Sequence, residues 1–249
     1  MDGASHDICK RIYTPNTLNM LSVITLTYKR HQFLEEAIHS FLIQECDFPT
    51  EMVVINDNSE VEYVFSHPNV RIINHKERFP SISAKLKWGM EQCKYDNIYR
   101  LDDDDLLAKD GLKKSCQYIN DNPGYDIYRS SGFYFFVNNE FHRWTSNINN
   151  GNIYTKQYLQ RIEFPDSSIG EDADITFHKG GTWWEPKYKD ATMIYRWGMG
   201  TLHISGMGVN SNAAILDYAD EVLDNTKGTI ELHPNFKHDY YGQIDRNSK

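Results

Sequence analysis

The chain has few cysteines, no excess of basic residues and no long apolar run. Its 249 residues include four cysteines, none in a Cys-x-x-Cys pair, so we expect neither a disulfide framework nor a zinc site. Acidic residues outnumber basic ones, 35 to 26, which excludes the basic stripe of a nucleic-acid coat protein. No run approaches the roughly 18 apolar residues of a membrane span, and residues 1–20 lack the apolar core of a signal peptide. We therefore expect a cytoplasmic protein with reduced thiols that neither spans a membrane nor binds nucleic acid.

The first 130 residues alternate between strand patterns and helix patterns. Apolar, β-branched runs predict buried strands, and apolar residues spaced three and four apart predict helices. Strands are expected over 21–27, 51–56, 70–73, 97–101 and 126–129, and helices over 31–44, 81–93 and 109–119. This alternation predicts an α/β fold with a mostly parallel, doubly wound, Rossmann-like central sheet. Such sheets bind ligands at the carboxyl ends of their strands.

The pattern is more mixed after residue 130. We expect a hairpin over 133–144, an Asn-rich loop over 145–155, helices over 155–161, 170–179 and 210–224, and strands over 191–197 and 201–204. Since no linker rich in Gly, Pro or Ser interrupts the chain, we expect a single domain over 21–225. Its halves are 21–131 and a smaller mixed β/α region, 132–225, and polar segments flank the domain at 1–20 and 226–249.

Four consecutive aspartates, 102–105, follow the strand expected over 97–101. Neighbouring like charges repel by about 1 kcal/mol per pair in water, and by more in a lower dielectric. A hard divalent cation would make the cluster favourable, because Mg²⁺, Mn²⁺ and Ca²⁺ prefer carboxylate oxygens. Residues i and i+2 of an extended segment point the same way, so one pair can face a metal while the other braces it. The alternative is a solvated acidic turn.

Two other acidic positions are candidates for chemistry. Asp57 follows the second predicted strand, where it could accept a hydrogen bond from a nucleobase imide or a ribose hydroxyl, or form a plain Asx-turn. Asp172, in Gly170-Glu171-Asp172, is a candidate general base for an attacking hydroxyl. Acidic residues in the first turn of a helix are also favourable without any catalytic role.

Three further features each have a structural and a functional interpretation. His203 is either a metal ligand or a structural histidine. Arg196 is either a surface charge or a partner for a pyrophosphate. The pair Trp183-Trp184 either packs in the core or stacks on the face of a sugar.

Taken in order, these segments resemble the inverting family-two glycosyltransferases of GT-A fold. Residues 22–30 are similar to the opening strand S-V-I-I-P-T-Y-N-R of that family, and 53–59 to its V-V-D-D-G-S. The segment 99–112 is similar to Y-L-D-S-D-D-x-x-x-P-D-x-L, 170–172 to its E-D pair, and 195–198 to Y-R-x-H. The sequence departs from the family pattern at four positions, which are Asn56 for a common Asp, Lys109 for Pro, Gly89 one place late, and Gly198 for His.

The resemblance implies roles for individual residues. Asp172 would be the catalytic base, and Asp104, Asp102 and His203 would be the metal ligands, for Mn²⁺ or else Mg²⁺. The donor, a nucleotide-diphosphate sugar with UDP favoured, would contact Thr27, Tyr28, Arg30, Asp57, Lys85, Asp102 and Asp103. The half 21–131 would bind this donor, and the half 132–225 would face the acceptor, a glycan or glycoconjugate.

Two other functions are considered beside glycosyl transfer. A sugar-nucleotide pyrophosphorylase normally has a Gly-rich loop after its first strand, and residues 27–30 contain no glycine, which weighs against it. A non-catalytic module of the same fold that binds metal and carbohydrate stays open from the sequence.

Overall fold

The computed structural model describes residues 20–130, 132–137, 140–144, 150–186, 191–197 and 226–247. The strand expected over 201–204, the helix expected over 210–224 and the candidate ligand His203 lie outside the described residues. Within them, no helix is long and apolar enough to cross a membrane.

The described elements alternate between strand and helix in the first half and are mostly short strands in the second. The strands are β1 Leu21–Thr27, β2 Thr50–Asn56, β3 Val61–Val64, β4 Val70–Asn74, β5 Asn97–Arg100, β6 Leu106–Leu107, β7 Ile127–Tyr128, β8 Phe133–Val137, β9 Glu140–Trp144, β10 Ile153–Thr155, β11 Trp183–Trp184, β12 Met193–Trp197 and β13 Gly228–Glu231. The helices are α1 His31–Leu42, α2 Ile82–Gln92, α3 Gly111–Asp121, α4 Lys156–Arg161, α5 Glu171–Phe177 and α6 Tyr240–Asn247.

A seven-stranded sheet in the order β11-β7-β10-β5-β1-β2-β4 forms the centre of the fold. Strands β4, β2, β1 and β5 are mutually parallel, and apolar side chains of β1 alternate between its two faces. Leu21 and Val23 pack in one cluster with residues of α1 and α3, whereas Ile24 packs in another with residues of α2, α4 and α5. Helices therefore cover both faces, which confirms the doubly wound α/β prediction.

Strand β10 lies within 145–155, which the sequence predicts as a loop, so that prediction is wrong at its last three residues. It pairs antiparallel with both β5 and β7, and the predicted core or sugar-binding pair Trp183-Trp184 forms β11 beside β7. These three strands extend the parallel half of the sheet into a mixed half.

A second sheet in the order β6-β12-β8-β9 includes the predicted hairpin, β8–β9. Strand β6 directly follows the aspartate cluster, and it pairs antiparallel with Met193 and Ile194 of β12. Two residues suffice for β6 because both leucines are fully buried. This pairing fixes the end of the cluster against the second half of the chain.

Residues 226–247 pack onto the rest of the chain, although the sequence predicts a polar tail there. Strand β13 pairs in parallel with β3, and the Tyr240 ring of α6 lies 5.1 Å from that of Phe136. Leu232 and Tyr240 are buried, and Phe236 packs beside Tyr240. These apolar residues are widely spaced among polar ones, so composition alone does not reveal them.

Candidate functional site

The candidate site lies at the carboxyl edge of the central sheet. Strands β1, β2 and β5 are parallel and adjacent, with Thr27 in register with Asn56. The segments that leave these strands carry Tyr28 to Arg30, Asp57 and the cluster 102–105. Strand order and direction therefore bring together the three segments that were selected from the sequence.

Asp57 and Lys85 form a buried ion pair at this edge. Lys85 Nζ lies 2.5 Å from Asp57 Oδ1 and donates to the Thr27 carbonyl oxygen at 2.7 Å. The other carboxylate oxygen, Oδ2, accepts from the Phe79 amide at 3.1 Å. Burial lowers the pKa of Lys85, and the negative charge of Asp57 acts in the opposite direction. The pair holds the ends of β1 and β2 and the first turns of α2 together.

Arg30 neutralises part of the aspartate cluster. It follows Lys29, whose backbone φ of +55° lies in the left-handed region that non-glycine residues seldom adopt. Its Nη1 lies 2.7 Å from Asp104 Oδ2, and its guanidinium also pairs with Asp103. Burial lowers the pKa of Arg30, but the carboxylates of Asp103 and Asp104 outweigh it, and the net pKa is raised. Arg30 therefore stays charged.

Two of the four aspartates are fully buried braces. Asp103 pairs with Arg30, and its burial raises its pKa to about 6 although the charge of Arg30 lowers it. Asp105 accepts from the Arg196 amide at 2.9 Å and from the Asn150 side chain. Burial and the nearby carboxylates raise the pKa of Asp105. The structure thus places Asp103, expected to contact the donor, in the protein interior.

Asp102, Asp104 and Asp105 form a cluster that could hold a cation. One carboxylate oxygen from each lies within 4.8 Å of the others. All three donors are hard oxygens, which suits Mn²⁺ or Mg²⁺, and a cation would offset the repulsion among them. Asp102 and Asp104 were selected from the sequence as metal ligands, whereas Asp105 was not. The donor set therefore fits a divalent metal.

Arg100 connects the cluster to the candidate base, and sequence reasoning missed it. Its Nε donates to Asp102 Oδ1 at 3.3 Å and its Nη2 to Glu171 Oε1 at 2.9 Å. Glu171 precedes Asp172 in α5, the helix that begins after Gly170 in a left-handed conformation, φ +65°. The signal in the sequence that could have identified Arg100 is its charge, within a strand predicted to be buried.

Asp172, the predicted base, follows Glu171 in α5 and contributes to the electrostatics of Asp102. Burial raises the pKa of Asp102, Arg100 lowers it, and the charges of Asp104 and Asp172 raise it further. Asp172 Oδ1 accepts from the Ala173 amide at 2.7 Å, and the Asp172 side chain is partly exposed. The structure therefore brings a carboxylate that solvent can reach beside the candidate metal ligands.

Arg196 is a brace behind the cluster and is not available to a pyrophosphate. Its side chain is fully buried and pairs with Glu36, and its Nε donates to the Asp104 carbonyl oxygen. The Tyr240 hydroxyl accepts from Nη1 at 3.3 Å.

Tyr28, expected to contact the donor, lies under Arg78, whose guanidinium carbon is 3.9 Å from the centre of the Tyr28 ring.

Comparisons with known proteins bear on the fold and the family of the chain. No curated protein matches the chain in sequence. Among solved structures, a fragment of S. aureus TarS in complex with UDP-GlcNAc superposes with a TM-score of 0.58 at 18% identity, over 76% of this chain and 62% of that one. The mannosyltransferase PcManGT from Pyrobaculum calidifontis, in complex with GDP-Man and Mn²⁺, gives a TM-score of 0.54 at 14% identity, over 87% and 67%. This chain thus spans about three fifths of the TarS fragment, and both likenesses show the GT-A fold.

The family assignment comes from the sequence of the same region. The family model for glycosyl transferase family 2 matches residues 22–183. That range contains Asp57 and the aspartate cluster, which follow parallel strands of the central sheet, and Asp172 of α5. The chain belongs to glycosyl transferase family 2.

Proposed function

We propose that this protein transfers a sugar from a nucleotide-diphosphate sugar to a hydroxyl of a glycan or glycoconjugate, with inversion at the anomeric carbon. The observation that carries the proposal is the grouping of Asp102 and Asp104 after β5, together with the Arg100 side chain that joins Asp102 to Glu171, the neighbour of Asp172. Family membership supports the same reaction class.

The donor is assigned to the edge of the sheet at which Thr27, Tyr28 and Asp57 lie. UDP is the favoured nucleotide, and the TarS complex with UDP-GlcNAc supports a uridine donor, whereas the PcManGT complex with GDP-Man supports the wider class. Lys85 pairs with Asp57, and Arg30 pairs with Asp103 and Asp104. These pairs reduce the negative charge of the edge, which lowers its repulsion of an anionic diphosphate.

Asp102 and Asp104 are the proposed metal ligands, with Asp105 adjacent. A divalent metal, Mn²⁺ or else Mg²⁺, supplies charge neutralisation at the diphosphate leaving group when it is bound. Asp103 acts on this site indirectly, because it holds Arg30 against Asp104. His203 stays a predicted third ligand.

Asp172 is the proposed general base. Its carboxylate takes the proton of the acceptor hydroxyl as the oxygen attacks the anomeric carbon from the face opposite the diphosphate. The transition state has oxocarbenium character, as in glycoside hydrolysis. The Ala173 amide and the Arg100–Glu171 pair fix the start of α5, which orients the carboxylate.

The test measures thermal stability with UDP, GDP, UDP-GlcNAc and GDP-mannose, each with Mn²⁺ or with EDTA. A ligand at 100 times its dissociation constant stabilises the folded state by about 2.7 kcal/mol. We expect the largest shift with a uridine nucleotide and Mn²⁺, and loss of that shift in Asp104→Asn. Asp121→Asn removes an exposed carboxylate at the end of α3 and is the matched control.

Catalysis is tested separately from binding. Release of the nucleotide from the sugar donor that binds best is expected in the wild type and is expected to fall by about a hundredfold or more in Asp172→Asn, with the thermal shift retained. Binding without turnover in the wild type is the outcome of a non-catalytic module. Unchanged turnover in Asp172→Asn would remove that residue as the base.

A further inference from the structure

An exposed aromatic cluster lies around Arg129, the residue that follows β7. The side chains of Phe177, at the end of α5, and Trp183, in β11, are each 46% exposed, unlike most large apolar residues of the described chain. The guanidinium carbon of Arg129 lies 4.7 Å from the Phe177 ring centre and 5.3 Å from that of Trp183. The two rings and the cation between them form what we call the aromatic platform.

The sheet topology places this platform near the aspartate cluster. Strand β10 is antiparallel to both β5 and β7, so β5 and β7 run in the same direction, and Ile153 is in register with both Tyr99 and Tyr128. Arg129, the first residue after β7, is therefore level with Arg100, the last residue of β5. Since neighbouring strands are 4.7–4.9 Å apart, the two positions are separated by about 10 Å.

Hydrogen bonds join the platform side of the edge to the helix of the candidate base. The Asn152 carbonyl oxygen accepts from the Arg100 amide at 3.1 Å, and Asn152 Oδ1 accepts from the Ser130 amide at 3.0 Å. Asn152 Nδ2 donates to Thr176 Oγ1 at 3.4 Å, and Thr176 Oγ1 donates to the Asp172 carbonyl oxygen at 2.7 Å. The distance between platform and base is thus set by buried, hydrogen-bonded groups.

Arg129 has unused hydrogen-bonding capacity. Its side chain is only 10% exposed, and its Nη1 donates to Glu185 Oε2 at 2.9 Å. Its Nε is buried and has no hydrogen-bond partner among the described residues. A guanidinium has five N–H donors, so Arg129 can donate to a bound hydroxyl as well as to Glu185.

We propose that the platform of Phe177, Arg129 and Trp183 binds a sugar ring of the acceptor, an inference that rests on the proposed transferase function. A pyranose has a C–H face that packs on aromatic rings and a rim of hydroxyls. Arg129 and Glu185 provide a donor and an acceptor for that rim. Arg129 and Glu185 pair with each other, and a guanidinium and a carboxylate can each take further hydrogen bonds from hydroxyls. A purely apolar protein partner offers no such groups, so the chemistry favours carbohydrate.

The test uses saturation-transfer difference NMR of the full chain with UDP and Mn²⁺. The probes are the methyl α- and β-glycosides of glucose, galactose, mannose and N-acetylglucosamine. We expect at least one probe to bind, and we expect Phe177→Ala and Trp183→Ala each to weaken that binding by about two- to tenfold. The double variant is expected to abolish it, and Trp183→Phe, which retains a ring, to preserve it.

Ile43→Ala and Val64→Ala are the matched controls. They remove side chains that are 38% and 44% exposed, at the end of α1 and in β3, and are expected to leave glycoside affinity unchanged. Melting temperatures verify that each variant is folded. No binding of any glycoside by the wild type, or unchanged affinity in the double variant, would overturn the proposal.

The same samples report on the transferase itself. Loss of the UDP and Mn²⁺ thermal shift with glycoside binding retained would refute the nucleotide-sugar site while supporting the platform. A retained nucleotide shift without glycoside binding would refute the platform alone.

Discussion

Replacing Arg100 by methionine removes the cation that links Asp102 to Glu171. The Arg100 and Glu171 side chains are only 8% and 6% exposed, and Asp102 is 35% exposed. Removing one partner of a buried ion pair costs about 3–5 kcal/mol, because the other charge is left without a partner. Asp102 can be rehydrated, so most of the loss is expected to come from Glu171. We therefore expect Arg100→Met to lower the free energy of unfolding by about 3 kcal/mol.

A double-mutant cycle separates this pair from general packing. Glu171→Met leaves the guanidinium buried with only Asp102, and we expect a loss of about 2 kcal/mol, smaller because that carboxylate remains. Replacing both Arg100 and Glu171 by methionine removes both charges of the pair. The double variant is therefore expected to lose less free energy of unfolding than either single variant. The sum of the two single losses then exceeds the loss in the double variant by more than about 3 kcal/mol.

The assay is urea denaturation at pH 7 in EDTA, so that metal binding does not contribute to the measured stability. Arg100→Lys, which keeps the charge but loses the planar fork, is expected to fall between wild type and Arg100→Met. Losses that simply add in the double variant, or a loss below about 1 kcal/mol for Arg100→Met, would refute the reasoning.

Two further predictions concern stability outside the site. Burial would raise the pKa of Asp126, but hydrogen bonds from Arg161 and Thr182 bring it below its ordinary value. The stability that the Asp126 carboxylate contributes is therefore present above the unfolded pKa of about 3.9 and is lost as the pH falls through the lower folded pKa. Asp126→Asn is expected to lower the free energy of unfolding by about 1–3 kcal/mol at pH 7. In urea melts near pH 3, the stability of the variant is expected to approach that of the wild type. A Cβ on Gly89 would lie 2.8 Å from isoleucine side chains of both β1 and β2, so Gly89→Ala is expected to destabilise by about 1–3 kcal/mol despite the better helix propensity of alanine. Thermal melts that show Gly89→Ala as stable as the exposed control Glu91→Ala would contradict this.

The sequence was most informative where strands were long and apolar. Strands β1 and β2 were predicted within a residue of their bounds, and the alternation of strand and helix located the carboxyl edge. Strands of two or three residues, such as β6 and β10, form because a neighbouring strand pairs with them, and they carry no periodicity of their own. The buried residues of 226–247 were missed because they are spaced too widely to mark an amphipathic element.

The candidate site was predictable in its acidic residues and less so in their partners. Four aspartates after a strand are visible locally, but which of them face inward depends on Arg30 and Arg196, which come from other segments. Arg100 and Glu171 are 71 positions apart, and no local rule joins them. The exposed pair Phe177 and Trp183 likewise becomes a pair only after β11 joins the sheet.

The contact of Tyr240 with Arg196 and Glu36 has a consequence for how the molecule folds. Tyr240 and Glu36 are separated by 204 positions, and their hydroxyl and carboxylate lie 3.5 Å apart. Contacts of such long range close late and slow folding. During synthesis, Arg196 can contact Tyr240 only after α6 has been made, which is more than forty residues later. Until then, Arg196 lacks one of the hydrogen bonds that hold it behind the aspartate cluster. The edge that carries the candidate site is expected to reach its final form only in the last stage of folding, well after the central sheet.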